Sequence, residues 1–312
     1  MTDHANRSAR DRAPDGDEST LRDQLTADAA RERAEAALGL VDRAEAGLAP
    51  ETVTALATRL REDPDADVRQ FAAEALGVVG ASPAALDPAL EDADPWVRAE
   101  AIVALSRAAG SDTGDRFRAA LEDDAGAVRR NALIALSKTG AVQTGTLHER
   151  LKEDPHESVR EHAAQWLAEY PGDEAETVTL LAAVLAHDPA AFVRANAATS
   201  LGRLGTDRAI EALEQQGLED RSDDVRRAAK RALATARGED PELVDLEDPP
   251  APGGGPTTPR EGPRERPSGL RSNATRPTGR GGAGSRPGSG SGRGPDSGPG
   301  SDPTLDSGGD GR

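Results

Sequence analysis

One short pattern recurs six times along the chain, and it constrains the fold more than any other feature of the sequence. Each copy contains a Val-Arg pair, and successive pairs are separated by 29, 31, 31, 34 and 32 residues. Steps of this length fit one helical hairpin per repeat, and repeated hairpins bury their apolar faces by stacking on one another. The six pairs begin at Val68, Val97, Val128, Val159, Val193 and Val225.

Four positions carry the same residue type in all six copies. Counted from the Val, they are an Asp five residues before it, an Arg directly after it, an Ala four residues after it and a Leu eight residues after it. Spacings of four and eight place Val, Ala and Leu on one face of a helix, which predicts a buried stripe. The small Ala also predicts close approach of a neighbouring helix. The Ala column consists of Ala72, Ala101, Ala132, Ala163, Ala197 and Ala229.

The Asp and Arg columns supply one acid and one base per repeat. The Asp is often followed by Pro, as in Asp63-Pro64, which is typical of a turn or the start of a helix. We interpret the two columns as a ladder of charge-assisted bonds between neighbouring repeats. A basic stripe for nucleic acid is disfavoured because every Arg is accompanied by an Asp. The ladder comprises Asp63, Arg69, Asp92, Arg98, Asp123, Arg129, Asp154, Arg160, Asp188, Arg194, Asp220 and Arg226.

A second helical stretch lies between successive copies, for example from Glu51 or from Glu174, so each repeat is predicted to be two antiparallel helices. We predict that this repeat region spans residues 50–238. Residues 19–49 contain a weaker echo and are predicted to form a degenerate capping repeat, since end repeats need a polar outer face. The echo consists of Arg31, Ala34, Ala37, Leu38 and Gly39. Residues 1–18 are predicted to be disordered.

The composition changes near residue 240. Residues 241–312 contain 18 Gly and 13 Pro, and their few apolar residues cannot offset the chain entropy lost on folding. We therefore predict a disordered Gly/Pro/Ser/Arg-rich tail over residues 239–312. Eight Arg between residues 260 and 293 could contact RNA, but no aromatic residue is interleaved with them for base stacking. A solvated linker is the favoured interpretation, with weak nucleic-acid contact as the alternative.

The repeat signature, D-P-x-x-x-V-R-x-x-A-x-x-A-L-G, resembles the HEAT-like repeats named after phycobilisome lyases, over about residues 20–238. The resemblance implies an all-α, right-handed α-solenoid of about six helical hairpins. It does not imply one function, because the family includes scaffolds, chromophore lyase subunits, a di-iron hydroxylase and relatives of DNA glycosylases.

The enzyme alternative is tested by the deoxyhypusine hydroxylase branch of that family, in which a His-Glu pair directly follows the Val-Arg. Here the corresponding position is a reversed pair in one repeat, Glu161-His162, and none of the six repeats carries His-Glu. We expect no metal and no cofactor. The two His-Glu dipeptides that begin at His148 and His156 lie outside this column, and we expect both histidines to be solvated helix or loop residues. A lyase or oxidoreductase subunit stays open as the alternative function.

A binding surface for a protein or peptide is the favoured function, because solenoids bind partners along extended concave surfaces. We predict a non-catalytic scaffold or adaptor, for instance in a signalling or taxis assembly. Four large side chains, Trp96, Phe192, Trp166 and Tyr170, could act as hot spots, but packing at repeat junctions is favoured. The candidate groove residues are the variable ones on each second helix: Gln70, Glu74, Glu100, Arg130, Asn131, Glu161, His162, Gln165, Asn196, Thr199, Arg227 and Arg231.

Charge and composition exclude several classes. The chain carries 56 acidic and 38 basic residues, and only three of the basic residues are Lys. This balance is typical of salt-adapted prokaryotes such as haloarchaea, with a GC-rich genome as the alternative explanation. The absence of Cys excludes disulfides and thiolate metal sites. No stretch reaches the roughly 18 apolar residues of a membrane helix, so we expect a soluble, cytoplasmic monomer.

Overall fold

The computed structural model describes residues 16–107 and 113–243, and its secondary structure within them consists of helices joined by short turns. The predicted tail lies outside the described residues from position 244 onward, as do residues 1–15 of the predicted N-terminal segment. Within residues 16–107 and 113–243, every helix falls short of the length and apolar character needed to cross a bilayer.

Fourteen α-helices occupy the described residues. In chain order they are α1 (Glu18–Gln24), α2 (Ala30–Ala44), α3 (Pro50–Glu62), α4 (Ala66–Val78), α5 (Pro83–Leu86), α6 (Pro95–Arg107), α7 (Gly114–Ala120), α8 (Gly126–Lys138), α9 (Thr144–Glu153), α10 (Glu157–Trp166), α11 (Glu174–His187), α12 (Ala191–Leu204), α13 (Asp207–Ala212) and α14 (Asp223–Arg237). A 3₁₀ turn, Asp87–Glu91, follows α5, and a π turn, Leu213–Gly217, follows α13.

These helices form a cap and six repeats. The cap is α1 with α2, and each repeat is a first helix followed by a second helix: α3/α4, α5/α6, α7/α8, α9/α10, α11/α12 and α13/α14. Each second helix packs on the second helix of the next repeat, so that α2, α4, α6, α8, α10, α12 and α14 follow one another. The predicted all-α solenoid of six helical hairpins is therefore confirmed.

The predicted stripe of the second helices lies in the core. Every Val, Ala and Leu of the three columns is at most 5% exposed, including Val128, Ala132 and Leu136 within one repeat. Because each of these residues recurs once per repeat, the stripe continues from one second helix to the next and forms a single apolar core. The repeat period thus explains how a chain with few aromatic residues buries enough apolar surface.

Two close approaches between neighbouring second helices occur at glycines that directly follow the Leu column. A Cβ atom on Gly77 would lie 2.5 Å from the Cβ of Ala104, and one on Gly202 would lie 2.6 Å from the Cα of Ala232. In the Ala column, Ala229 makes a close contact within its own repeat. A Cβ atom on Gly217 of the π turn would lie 2.6 Å from the Cβ of Ala229. The small residues therefore set the distance between helices, and glycine allows the closest contacts.

The cap makes the same kinds of contact as the repeats, but the residues that make them are not the ones that the echo predicted. Arg33 occupies the place of the ladder arginines, and Ala36 and Leu40 are buried at the same spacings from it. Arg31, which the echo predicted in this role, is exposed and pairs with Glu35 on its own helix. The predicted echo is thus wrong by two residues, because Arg31 and Arg33 both have an Ala three and a Leu seven residues later and the cap has no Val before either of them.

Candidate functional site

The Asp-Arg ladder runs along the turns between first and second helices. In the first repeat, Arg69 donates from Nε and Nη2 to both carboxylate oxygens of Asp92, at 2.6 and 2.8 Å. Its Nη1 donates to the backbone carbonyl of Asp63, the aspartate of its own repeat. Each such arginine therefore joins two repeats. The bidentate pairs are Arg33–Asp63, Arg69–Asp92, Arg98–Asp123, Arg129–Asp154, Arg160–Asp188 and Arg194–Asp220.

Each ladder aspartate also accepts a bond from the amide two residues later, as Asp154 does from His156. Burial raises the pKa of the Asp154 carboxyl, but the hydrogen bonds from Arg129 and from this amide outweigh burial. The pKa of Asp154 is consequently lowered from its ordinary value of 3.8. The same causes lower the pKa values of Asp63, Asp92, Asp123 and Asp220. The ionised form of these five ladder aspartates is thus stabilised in the fold.

Arg226 is the exception among the predicted ladder arginines. Its Nη1 donates to the carbonyl of Asp220, as in the other repeats, but its Nη2 pairs with Asp223 at the start of its own helix. Its side chain is 38% exposed, whereas those of the six paired arginines are between 3% and 14% exposed. The last arginine therefore holds the ladder position without an inter-repeat aspartate among the described residues.

The twelve candidate groove residues lie on the second helices α4 to α14, and we call them the second-helix surface. They differ widely in burial. Glu74 is only 4% exposed, whereas three others are exposed: Gln165, Thr199 and Arg231. The other eight are half-buried: Gln70, Glu100, Arg130, Asn131, Glu161, His162, Asn196 and Arg227. The surface is thus a partly desolvated row of polar side chains.

Two acidic residues lie together at one part of this surface. Burial, together with the charge of Glu74 on the preceding second helix, raises the pKa of Glu100 to about 8. Arg107 opposes this effect from 3.9 Å. The Glu100 carboxyl therefore holds its proton at neutral pH. Its buried Oε1 has no hydrogen-bond partner among the described residues.

A second group lies on α8, α10 and α12. Burial lowers the pKa of His162 to about 4, with a further contribution from the charge of Arg130, so the imidazole is neutral at pH 7. Burial raises the pKa of the adjacent Glu161, which accepts a bond from Asn196 at 3.4 Å. Asn131 has a structural use, because its Nδ2 donates to the Ala99 carbonyl of the preceding second helix.

Three polar atoms of the second-helix surface are buried without a hydrogen bond to the described residues. They are Oε1 of Glu100, Nδ1 of His162 and Nε of Arg227. Such atoms are rare in folded proteins, because leaving a buried polar group unpaired costs free energy. The three atoms belong to α6, α10 and α14, alternate second helices of the stack.

The large aromatic side chains have two kinds of environment. Trp166 and Tyr170 contact each other, with ring centroids 6.3 Å apart, and the Tyr170 hydroxyl donates to the Ser137 carbonyl of the preceding repeat. Phe192 is half-buried against the core. These three pack within or between repeats, as favoured from the sequence. Trp96 does not, because it is 47% exposed at the start of α6.

The two histidines of the His-Glu dipeptides differ in environment. His156 is exposed, as predicted. The expectation for His148 is wrong, since it is 8% exposed and its Nε2 lies 2.8 Å from Oγ1 of Thr177 on the next first helix. Its other ring nitrogen lies 3.5 Å from Glu176. This contact joins neighbouring first helices. Within residues 16–107 and 113–243, no group of three or more His, Asp or Glu side chains converges as a metal site would require.

Sequence reasoning missed some inter-repeat contacts. Arg33 has Ala36 and Leu40 at the spacings of the repeats, but Arg31 has Ala34 and Leu38 at the same spacings, so the sequence alone does not decide between them. Arg116 forms a bidentate pair with Asp87 between neighbouring first helices, at 2.7 and 3.0 Å. This pair has no equivalent column in the other repeats, so no repeated signal marks it.

Comparison with known proteins agrees with this architecture. A protein-family model described as HEAT repeats matches residues 82–147 and 144–234. A search of curated proteins finds no match to the chain. The match covers the repeats from α5/α6 onward.

Several solved structures are similar to the chain at low sequence identity. Human deoxyhypusine hydroxylase in complex with glycerol is 23% identical, with 75% of this chain and 89% of the other covered and a TM-score of 0.35. The complex of CpcE and CpcF of phycocyanin lyase from Nostoc is 21% identical, covering 75% and 95%, with a TM-score of 0.44. YibA of Escherichia coli is 16% identical, covering 73% and 95%, with a TM-score of 0.48. These similarities carry no inference about activity.

Proposed function

We propose that this HEAT-repeat solenoid is a non-catalytic scaffold that binds a protein or peptide partner along its second-helix surface. The observation that supports the proposal is the row of buried, unpaired polar atoms on Glu100, His162 and Arg227. Because these atoms lie just beneath the surface, a bound partner would supply the missing hydrogen bonds once the side chains that cover them move aside. The proposal places the chain in the cytoplasm as a monomer.

An extended peptide suits this row. Its backbone offers a donor and an acceptor at every residue, spaced about 3.3 Å apart, so one segment can reach groups on several helices. The unpaired atoms include the acceptor Oε1 of Glu100 and the donor Nε of Arg227. Both kinds of peptide group would therefore find partners. Because these atoms are already desolvated, pairing them costs less than pairing atoms that water solvates.

The distribution of charge along the surface favours one direction for the bound peptide chain. Glu74 lies on α4 near one end of the stack, whereas Arg227 and Arg231 lie on the last helix. Opposite charges on partner and surface favour correct association. We therefore expect a partner segment with basic residues toward α4 and acidic residues toward α14.

The experiment compares two triple variants of the full chain as bait in cell lysate. The surface variant carries Glu100→Ala, His162→Ala and Arg227→Ala. The control variant carries Glu51→Ala, Glu149→Ala and Arg208→Ala, three exposed residues on first helices. Captured proteins are identified by mass spectrometry, and the affinity of each recovered partner is then measured. Circular dichroism verifies that both variants are folded.

The proposal predicts that a partner retained by the wild-type chain binds the surface variant about tenfold more weakly or worse, with the control unchanged. Equal binding to all three chains would contradict it. Metal analysis of the purified wild-type chain tests the enzyme alternative. Stoichiometric iron or another bound metal would favour the oxidoreductase function over the scaffold.

A further inference from the structure

Trp96 differs from the other aromatic residues of the chain because it does not pack into the stack. The chain has six aromatic residues, and the other five lie in the core or pack against it. Trp96 is 47% exposed at the start of α6. Within residues 16–107 and 113–243, the only other exposed large hydrophobic side chain is Leu243, beyond the last helix. An exposed tryptophan on a helix is typical of a residue that contacts a partner.

Glu100 lies one helical turn after Trp96 on α6. Helical residues four apart share one face, with their Cβ atoms about 5–6 Å apart. Helical side chains lean toward the N-terminus, so the Glu100 side chain leans toward the turn that carries Trp96. The side chain of Glu100 is 17% exposed, and its Oε1 has no hydrogen-bond partner among the described residues. An aromatic ring and a carboxyl group thus lie side by side at the surface.

This combination occurs in one repeat of the six. The residue directly before the Val of each repeat is Asp67, Trp96, Ala127, Ser158, Phe192 or Asp224. The residue three positions after the Val is Phe71, Glu100, Asn131, His162, Asn196 or Ala228. Because the other five repeats stack without this pair, stacking does not require it.

The charges near Glu100 favour a positively charged ligand. Glu74, on the preceding second helix, acts on Glu100 with its own charge. Nη1 of Arg107 lies 3.9 Å from Oε1 of Glu100, which is too far for a hydrogen bond. The Arg107 side chain is 40% exposed, so it can move aside. On the following second helix, the residue in the Glu100 column is the uncharged Asn131, which donates to the Ala99 carbonyl. Two carboxyl groups therefore lie near one loosely held guanidinium.

We propose that Trp96, Glu100 and Glu74 form a subsite for one arginine side chain of the partner. The proposal rests on the function proposed above and specifies the chemistry of the partner at this position. Arginine suits both components, because its planar guanidinium stacks on an indole ring and donates two parallel hydrogen bonds to a carboxylate. When the arginine binds, Arg107 moves away and the Glu100 carboxyl releases its proton to solvent, since a nearby cation favours the ionised form.

The test uses a defined probe, the peptide acetyl-Gly-Ser-Arg-Ser-Gly-amide, whose ends carry no charge. A matched peptide has citrulline in place of arginine, which keeps the shape of the side chain and removes its charge. The full chain carries Trp166→Phe, so that Trp96 is its only tryptophan. The fluorescence of Trp96 is followed as peptide is added at constant ionic strength. Two further chains add Glu100→Gln or, as the control, Glu62→Gln, which alters an exposed carboxylate on α3.

The arginine peptide is expected to change the Trp96 fluorescence saturably, and the citrulline peptide is expected to have no effect. Glu100→Gln should weaken binding of the arginine peptide about tenfold or more, whereas Glu62→Gln should leave it unchanged. Binding should also tighten about tenfold from pH 7 to pH 9, because the ionised fraction of Glu100 increases by that factor around its pKa of about 8. Ordinary carboxylates are ionised throughout this range, so a general attraction between the acidic chain and cations would not change in this way.

Three results would each overturn the proposal. They are equal responses to the two peptides, equal binding by the Glu100→Gln and Glu62→Gln chains, and an affinity that does not change from pH 7 to pH 9. The peptide comparison and the pH profile use the chain with both glutamates intact, so they decide the matter even if Glu100→Gln affects folding.

Failure of the subsite is distinguishable from failure of the proposed function. If a captured partner depends on the second-helix surface but the arginine peptide does not bind, the scaffold function is supported and the subsite is wrong. If the arginine peptide binds as predicted but every captured partner binds the surface variant equally well, the subsite is supported and the scaffold function is wrong.

Discussion

Arg129 and Asp154 form a bidentate pair, with Nε to Oδ2 at 2.8 Å and Nη2 to Oδ1 at 2.7 Å, and both side chains are almost fully buried. The remaining nitrogen, Nη1, donates to the carbonyls of Asp123 and Asp124. One guanidinium therefore satisfies a carboxylate of the next repeat and a turn of its own repeat. This geometry uses the planar fork of arginine, which lysine lacks.

Replacing Arg129 is predicted to destabilise the stack strongly. Arg129→Ala leaves the Asp154 carboxylate buried without its partner, a change that costs about 3–5 kcal/mol. Arg129→Lys keeps the charge but loses the bidentate bond, so it is expected to recover only part of that loss. Urea denaturation measures both, with Arg31→Ala as the control because Arg31 pairs only on the exposed surface. Full stability of Arg129→Lys would contradict the role assigned to the fork.

The ladder also predicts how stability depends on pH. The ladder aspartates with a lowered pKa stay ionised when folded at a pH where the unfolded chain takes up protons. Their contribution is thus fully present above the ordinary value of 3.8 and is lost as the pH falls below it. The urea concentration at the unfolding midpoint, measured from pH 6 down to pH 2.5, should therefore decrease once the pH falls below 3.8. Asp154→Asn should show a shallower decrease, and an identical profile for variant and wild type would argue against a depressed pKa for Asp154.

The close contact at Gly202 predicts opposite results for two glycine-to-alanine changes. Gly202→Ala would place a Cβ 2.6 Å from backbone atoms of Ala232, so we expect a loss of about 1–3 kcal/mol from overpacking. Gly145→Ala on α9 meets no atom within 4 Å and should increase stability by about 0.4–1 kcal/mol, because alanine has less freedom in the unfolded chain. Thermal unfolding of both variants checks the pair. Equal shifts in the same direction would contradict the packing described here.

Glu100 predicts a loss of stability as the pH rises. Its carboxyl has a folded pKa of about 8 against an ordinary value of 4.5, so folding keeps a proton that the unfolded chain has released. Stability attributable to this group therefore falls between pH 4.5 and about 8. Glu100→Gln cannot ionise, so its stability relative to the wild type should increase by on the order of 4 kcal/mol between pH 5 and pH 9. The control is Glu62→Gln, an exposed carboxylate on α3. A difference between wild type and Glu100→Gln that does not change with pH would refute the assignment.

Salt dependence tests the interpretation of the acidic composition. Residues 1–240 carry 46 acidic and 29 basic residues, a net charge of −17. If the composition is an adaptation to concentrated salt, helicity should decrease below about 0.1 M KCl, where the repulsion is poorly screened. Circular dichroism during a KCl titration measures this. Full helicity in dilute buffer would favour the GC-rich genome as the explanation.

Much of the fold was predictable because the repeats are copies of one another. In all six copies Val, Ala and Leu have the same spacing, and this spacing predicts the buried stripe. Val68 and Ala101 are buried for the same reason as the equivalent residues of the other repeats. The partners of the ladder residues were less predictable, since the sequence does not say that Arg69 reaches Asp92 of the next repeat. That choice depends on how the turns are stacked. The predicted echo names Arg31 in the place of Arg33 because the cap lacks the Asp and Val that define the register.

The candidate site was predictable only as a set of positions. Whether a variable residue is buried depends on its neighbours in the adjacent repeats, which differ in size from repeat to repeat. Glu74 and Thr199 both occupy the same position six residues after the Val, yet Glu74 is buried and Thr199 is exposed. His148 is buried for a similar reason, because Thr177 of the next repeat lies against it. Such differences require the three-dimensional stack.

The most direct test of the proposed binding surface is site-specific photo-crosslinking in cell lysate. A photoreactive amino acid is placed at Gln165 or Thr199, exposed on second helices, and in matched chains at Glu149 or Thr179, exposed on first helices. The account predicts that one partner crosslinks from Gln165 and Thr199 and from neither first-helix position. Crosslinking of that partner from Glu149 or Thr179, with none from the second helices, would contradict it.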